Sequence, residues 1–329
     1  MTANAGRFVA RTLKSLAIGK GDPFIAMSHA ESSRWTDGPQ IKAAIEAATL
    51  SNSPGITGKA GTDLIAAVRP RTLIGRLTAA RIVPLKTRVV FQTAGANAYW
   101  VDQASPKPIT LGRFSDSGTL EPNILVAISV ISNEIAQASD AEAIITRDLE
   151  SALVTAADGA FVDPANAGIP DQRPRSITYG AQTIAATSEL TEDIADALAA
   201  FQGDLTTAVW MMHPLIAARL NLRGEPFDTV HALGGSLVGL PVLTSSAVPL
   251  TSNGSPIVLV DAAGVEIGGF ETASVRATTN TALQMESETT EGETALVSLY
   301  QTNCVALLAE THTDWRVRPE SVVVIEGVS

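Results

Sequence analysis

Between Ile124 and Ile131 the chain is apolar and β-branched at successive positions. That pattern predicts a strand covered on both faces. From Ile144 the period changes, and Ile144, Ile145, Leu149, Ala152, Leu153, Ala156 and Ala160 recur at helical spacing. One long helix over 139–161 follows, about 33 Å at 1.5 Å per residue. Ser139 is its expected cap, with Glu142 three residues on completing a capping box. Upstream, Ala98-Tyr99-Trp100-Val101 and Phe114 flank the segment Ser105-Pro106-Lys107-Pro108-Ile109-Thr110. Two prolines around a lysine do not fit a central strand, so they mark an exposed turn between two arms of a hairpin.

The N-terminal pattern is different. Arg7 to Ile18 is amphipathic through Phe8, Val9, Leu13 and Leu16, with Arg7, Arg11 and Lys14 on other faces. A membrane-surface helix reads similarly, but packing against a partner is the commoner case. Asp22-Pro23 is an N-cap followed by proline at the first helical position, Gly38-Pro39 opens a third helix over 40–50, and Ser51 to Gly61 reads as a linker. Three short helices and a linker are not expected to build their own core. They are expected to dock elsewhere, with a neighbouring subunit as the candidate, so that deleting residues 1–50 impairs assembly without unfolding the core.

Past the long helix, Asp171 to Ser176 is a Pro/Arg-rich connection, and Thr187 or Ser188 caps a helix through Ile194, Leu198 and Phe201. Ala208 to Met212 reads as a buried strand, and His213-Pro214 starts a helix to Leu222. Gly234 to Gly239 reads as a turn before a strand, since no Lys-Ser/Thr follows to make it a phosphate loop. Short strands are expected at 257–260 and 266–270. The apolar runs Leu296 to Leu308 and Trp315 to Ile325, separated by Thr311 to Asp314, are expected to pair antiparallel beside the 124–131 strand. Alternating strands and helices predict an α/β or α+β layer around a second core.

The 329 residues, 45% hydrophobic, suffice for one large or two modest domains. A net charge of −11 and a pI near 4.9 argue against tight nucleic-acid binding, which requires clustered Lys and Arg. Arg69, Arg71, Arg76 and Arg81 form the densest basic stretch; a solvated face or intersubunit ion pairs is the reading ahead of a DNA contact. Cys304 has no internal partner and reads as a buried structural thiol, compatible with a reducing cytoplasm. No apolar segment approaches the ~20 residues of a membrane span.

Catalytic chemistry finds no constellation. His29, His213, His231 and His312 lack ligand spacing, so neither a metal nor a cofactor is expected. There is no Gly-x-Ser-x-Gly elbow and no Walker loop. Asp314 beside His312 has no activated Ser or Cys to complete a triad.

An ordered set of short motifs carries a family resemblance. Tyr99-Trp100-Val101, Lys107-Pro108, Phe114 before Leu120-Glu121-Pro122, Ser132-Asn133-Glu134-Ile135, Asp158-Gly159-Ala160-Phe161, Gly239-Leu240-Pro241-Val242 and Arg318-Pro319 resemble, in that order, the major capsid proteins of tailed bacteriophages of the Hong Kong 97 type. Arg69-Pro70-Arg71-Thr72 is similar to the family's entry segment. The pattern departs from many relatives at Gln103, where they carry Glu, and at Asp163 to Asn166, where they carry a Gly-rich turn.

The resemblance implies an α+β fold with an N-terminal arm (1–62), an entry segment (63–82) and an E-loop hairpin (83–121). A peripheral domain with the spine helix would take 122–175 and 295–329, and an axial domain 176–294. It implies self-assembly into hexamers and pentamers of an icosahedral head around double-stranded DNA held weakly. A portal and possible decoration or scaffolding partners go with it, as do assembly in the host cytoplasm and no membrane. A scaffolding domain of about 100 charged helical residues is not found before the arm, so scaffold would be removed, separately encoded or unnecessary. Intersubunit contacts are expected at Phe8, Leu13 and Leu16, at Arg69 and Arg71, and at Pro106, Lys107 and Pro108. In some relatives a lysine at the hairpin tip forms an isopeptide bond with an asparagine; Asn303 is the nearest candidate by position, but an ordinary exposed lysine is the favoured reading. The alternatives are an encapsulin-like nanocompartment shell and, in another class, a soluble α/β enzyme.

Overall fold

The computed structural model describes residues 6–50, 56, 58–95, 98, 100, 113–138, 141–279, 281–286 and 294–329. In chain order these form α1 (Arg7–Ile18), α2 (Pro23–Ser32), α3 (Gly38–Leu50), α4 (Lys59–Val68) and α5 (Leu73–Arg76), then β1 (Arg81–Val83), β2 (Arg88–Ala94), β3 (Arg113–Thr119) and β4 (Asn123–Ser132). Helices α6 (Asn133–Gln137) and α7 (Ala141–Val162) lead to β5 (Gln182–Ala185), α8 (Leu190–Ala200), β6 (Ala208–Met212) and α9 (Pro214–Arg223). The strands β7 (Val230–His231), β8 (Gly234–Leu237), β9 (Leu240–Thr244), β10 (Ser255–Asp261) and β11 (Val265–Thr278) follow, and β12 (Ala282–Glu286), β13 (Thr294–Ser298), β14 (Cys304–Val317) and β15 (Val322–Val328) close the chain.

Local chemistry sets several boundaries as expected. The Asp22 carboxylate accepts from Phe24 N at 2.8 Å, and Pro23 fills the first position of α2. His213 does the same for α9, its Nδ1 accepting from Leu215 N at 3.1 Å. At α8 the expectation is corrected: the N-cap is Glu189, without a side-chain cap, not Thr187 or Ser188, and the Asp193 carboxylate reaches back to Thr187, accepting from its N and Oγ1 at 2.8 and 2.9 Å. The expected cap Ser139 lies outside the described residues.

The described chain divides into two compact units. The first draws on residues up to Arg76, on Ile124–Asp158 and on Phe270–His312. Phe8, Leu13 and Leu16 of α1 are buried there with Ile41 and Ile45 of α3, Leu64 of α4, Ile145, Leu149 and Leu153 of α7, and Leu307 of β14. Even the polar side of α1 is engaged: Arg11 pairs with Asp37 at 2.5 Å and Glu142 at 3.2 Å, and the Lys14 ammonium donates to Ala138 O at 2.9 Å. The arm helices therefore pack on the chain's own core, which corrects the expectation that they lack one. The linker is also shorter than expected, since α4 starts at Lys59 and needs Gly61, where a Cβ would stand 1.7 Å from Ala273 O of β11.

Within this unit β11, β14 and β4 are neighbours in that order, with β4 at the sheet edge. Its residues alternate, Ala127, Ser129 and Ile131 buried and Ile124, Val126 and Ile128 exposed. The expectation of cover on both faces is thus corrected for the single chain: Ser129 bonds to Asp148 of α7 on one side, and the other row is open. The helix stripe is narrower than expected, with Ile145, Leu149 and Leu153 buried but Ile144, Ala152 and Ala156 exposed. Cys304 is half-buried, not buried.

The second unit draws on Leu77–Asn123, Gly159–Gly269 and Thr313–Ser329. Its seven-stranded sheet runs β5-β15-β10-β6-β9-β8-β7, with β10 antiparallel to both neighbours through Leu259↔Val323 and Leu259↔Trp210. Every residue of β10 is buried, and Ile194 of α8 and Ile216 and Leu220 of α9 pack against this sheet's core. Here the last strand departs from expectation. β15 pairs with β10 and β5, not with β14, and β14 continues straight through Thr311 to Asp314. Threonine favours strands, and the real break falls at Pro319-Glu320, where Glu320 has φ +66°. Gly234 to Leu237, read as a turn, is strand β8, and the turn is Val238-Gly239.

Candidate assembly surfaces

In the second unit, β2 and β3 form the two arms of the expected hairpin, antiparallel with Arg88↔Thr119 and Phe91↔Ser115 in register. Its root is held from two sides. Val89, Phe91 and Leu120 make a small core with Val83 and Leu85. Opposite them, Arg316 of β14 donates from Nη2 to Thr119 O at 2.7 Å and from Nε to Ser117 O at 3.1 Å. Arg316 is aimed by Asp314, whose Oδ1 it reaches at 2.8 Å, while Asp314 Oδ2 accepts from Glu121 N at 2.7 Å. Burial pushes the Asp314 carboxyl up, opposed by these donors. Trp315 N also donates to Asp314 Oδ1, at 2.8 Å, so the residue that invited an enzymatic reading is fixed by three donors and anchors the hairpin.

On the exposed face of the arms the character changes. Arg88 and Asp116 pair on the exposed face, and the Arg88 guanidinium with Gly118 N holds the Asp116 carboxyl below its usual range. Phe114 is 67% exposed, and Val90 and Trp100 are exposed as well. Large apolar side chains in water on a firmly rooted hairpin are what a contact surface requires. Pro106, Lys107 and Pro108 lie outside the described residues.

In the first unit the open row of β4 is a second surface: Ile124, Val126 and Ile128 are 56, 43 and 49% exposed along an edge strand. Soluble single chains seldom leave such an edge bare. Sequence reasoning missed it, because an apolar run on both sides of the pleat does not say which side its own chain covers.

The remaining predicted contacts separate. Phe8, Leu13 and Leu16 come together, but inside the core. Arg71 pairs with Glu150 of α7 at 2.7 Å, Arg76 lies close enough to Asp158 to feel its charge, and Arg81 in the second unit pairs with Glu266 at 2.7 Å. Arg69 is half-buried in the short turn before α5, its carbonyl accepting from Thr72. Three of the four members of the basic stretch thus face carboxylates of their own chain. Among the described residues no group of His, Cys, Asp or Glu could hold a metal ion, and no helix is long and apolar enough to cross a membrane. A cleft of about 970 Å³ in the second unit is lined by both signs of charge, Arg173 and Arg175 with Glu121, Asp171 and Glu320.

The hairpin, the uncovered strand β4 and all but the last residue of the seven-stranded sheet fall within residues 62–327, the span that matches the model of the phage capsid family, while α1, α2 and α3 of the first unit precede it. The chain belongs to that family. It is similar to the capsid polyprotein of Pseudomonas phage PAJU2, at 32% identity over an alignment of 317 residues that covers 88% of this chain and 47% of the polyprotein. The chain thus spans about half the length of that relative. Among solved structures, Mycobacterium phage Ogopogo matches with a TM-score of 0.51 at 14% identity, covering 78% of this chain and 91% of that one. The capsid of a native GTA particle, computed with C5 symmetry, matches with a TM-score of 0.50 at 14% identity, covering 76 and 89%. These likenesses bear out the expected α+β fold of the Hong Kong 97 type. Family membership makes the chain a structural protein of a phage shell, as expected over the enzyme and nanocompartment alternatives.

Proposed function

We propose that this chain is the major capsid protein of a phage or prophage head, assembling with its own copies into hexamers and pentamers of an icosahedral shell around double-stranded DNA. The observation that carries this reading is the family match across 62–327, which takes in the hairpin, β4 and nearly all of the seven-stranded sheet. The net charge of −11 suits a wall that encloses DNA without gripping it. Copies contact one another through the hairpin, including Pro106, Lys107 and Pro108 at its tip, and through the open row of β4. Arg69 adds a rim contact; Arg71 contributes while paired to Glu150. Phe8, Leu13 and Leu16 act from inside, by holding the first unit together. A portal, and decoration or scaffolding proteins, complete the head, which forms in the host cytoplasm.

Negative-stain electron microscopy of the purified protein at moderate ionic strength, alone and after co-expression with the neighbouring head genes, tests the reading. Closed shells, or rings of five and six, are expected. Monomers or dimers under both conditions would overturn it.

A further inference from the structure

The N-terminal helices meet the rest of the first unit at a junction rich in positive charge. His29 of α2 points its Nδ1 at Ser15 Oγ of α1, 3.1 Å away, and sets its ring edge-on to Trp35 at 5.4 Å. The Arg11 guanidinium lies 5.1 Å from the centre of the same Trp35 ring. Arg11 is neutralised by Asp37, on the connection into α3, and by Glu142 of α7. Lys14, one turn along α1, donates to the Ala138 carbonyl, its one hydrogen bond among the described residues. The remaining pair on these elements, Glu31 with Lys42, is exposed and self-contained. Among the described residues, then, His29 faces a cation that no carboxylate is seen to pair.

We propose that His29 is an acid-sensitive latch, seating α2 and α3 on α1 while its ring is neutral and releasing them when it is protonated. A neutral ring accepts the Ser15 hydroxyl at Nδ1. A protonated one has two donors, loses that acceptor and adds a positive charge beside Lys14. The C-terminal turn of α2 favours a cation there, but burial and Lys14 both act the other way and lower the ring's proton affinity. Because the folded chain holds this proton less tightly than the unfolded one, the seated state loses stability as pH falls through the unfolded histidine's range near 6.5. Release would uncover Ala26 and Ala30 of α2 and Ile41 and Ile45 of α3, an apolar face suited to exchange between copies.

Hydrogen–deuterium exchange of the full chain at about pH 7.5 and about pH 5, corrected for intrinsic exchange, tests the latch across the histidine range. Residues 23–50 are expected to open several-fold more often at the lower pH. In His29→Gln, which keeps a partner for Ser15 without titrating, the acceleration should vanish. Lys14→Gln should shrink it, and this variant decides the matter if His29→Gln is already open at the higher pH. Equal protection of the wild-type chain at both pH values, or an undiminished acceleration in Lys14→Gln, overturns the proposal.

Discussion

Arg316 Nη2 stands 2.7 Å from the carbonyl oxygen of Thr119, the last residue of the hairpin's second arm. One planar fork spans Ser117 O, Thr119 O and the buried Asp314 carboxylate, a geometry lysine does not reproduce. Arg316→Ala leaves Asp314 buried without its cation. The expected loss is about 2–3 kcal/mol of unfolding free energy, read by urea denaturation, with Arg316→Lys intermediate. A variant within experimental error of wild type would mean the hairpin root is held by Val89, Phe91 and Leu120 alone.

The open row of β4 makes the opposite prediction. Ile124, Val126 and Ile128 contribute little to the single chain because water already surrounds them. Replacing Val126 and Ile128 with threonine keeps strand propensity and is expected to change stability by no more than about 0.5 kcal/mol each. Assembly should fall sharply, measured as the fraction of protein sedimenting as shells. Normal shells from the double variant would remove β4 from the set of contact surfaces.

The legibility of the chain follows the range of the forces involved. Asp22-Pro23, His213-Pro214 and the buried strand Ala208–Met212 were readable because caps and short apolar runs are set by neighbours in sequence. The hairpin arms were readable from the prolines between them. The partner of β15 was not, because an apolar run ending at Ile325 satisfies β10 or β14 equally well until the fold brings one of them alongside. The arm was misjudged for a related reason: α1 is amphipathic alone, yet Arg11 and Lys14 are buried too, their charges met by Asp37, Glu142 and Ala138 from distant parts of the chain.

Close backbone approach at Gly61 yields a packing test. A Cβ there would lie 1.7 Å from Ala273 O, and backbone cannot swing aside as a side chain can. Gly61→Ala, neutral or favourable in an ordinary helix, is expected to cost about 2–3 kcal/mol here by separating α4 from β11. Thermal unfolding would read it as a clear fall in melting temperature. An unchanged or raised melting temperature would show that α4 shifts freely.

Glu150 gives the fold a pH dependence of unusual sign. Burial raises its carboxyl above the ordinary value of 4.5, against the pull of Arg71. The folded chain then binds this proton more tightly than the unfolded chain, so stability falls as pH rises from the unfolded pKa through the raised one. In Glu150→Gln that decline should disappear, and the stability curve above pH 4.5 should flatten relative to wild type. Parallel curves for the two proteins would show that Arg71 fully offsets the burial of the charge.

Deleting residues 1–50 separates an arm that serves assembly from one that serves folding. The deletion removes Phe8, Val9, Leu13, Leu16, Ile41 and Ile45, all buried in the first unit's core. At about 1.5–3 kcal/mol for each large buried side chain, the loss is comparable to the whole 5–15 kcal/mol that typically stabilises a domain. Some of that surface would find other cover, but α7 and β14 would still present Ile145, Leu149 and Leu307 to water. The truncated chain is therefore expected to lose cooperative unfolding of the first unit, seen as rapid hydrogen exchange across 141–158 and 304–312, while the seven-stranded sheet of the second unit keeps its protection. A truncated chain with full protection in both regions that merely failed to form shells would restore the arm to a purely intersubunit role.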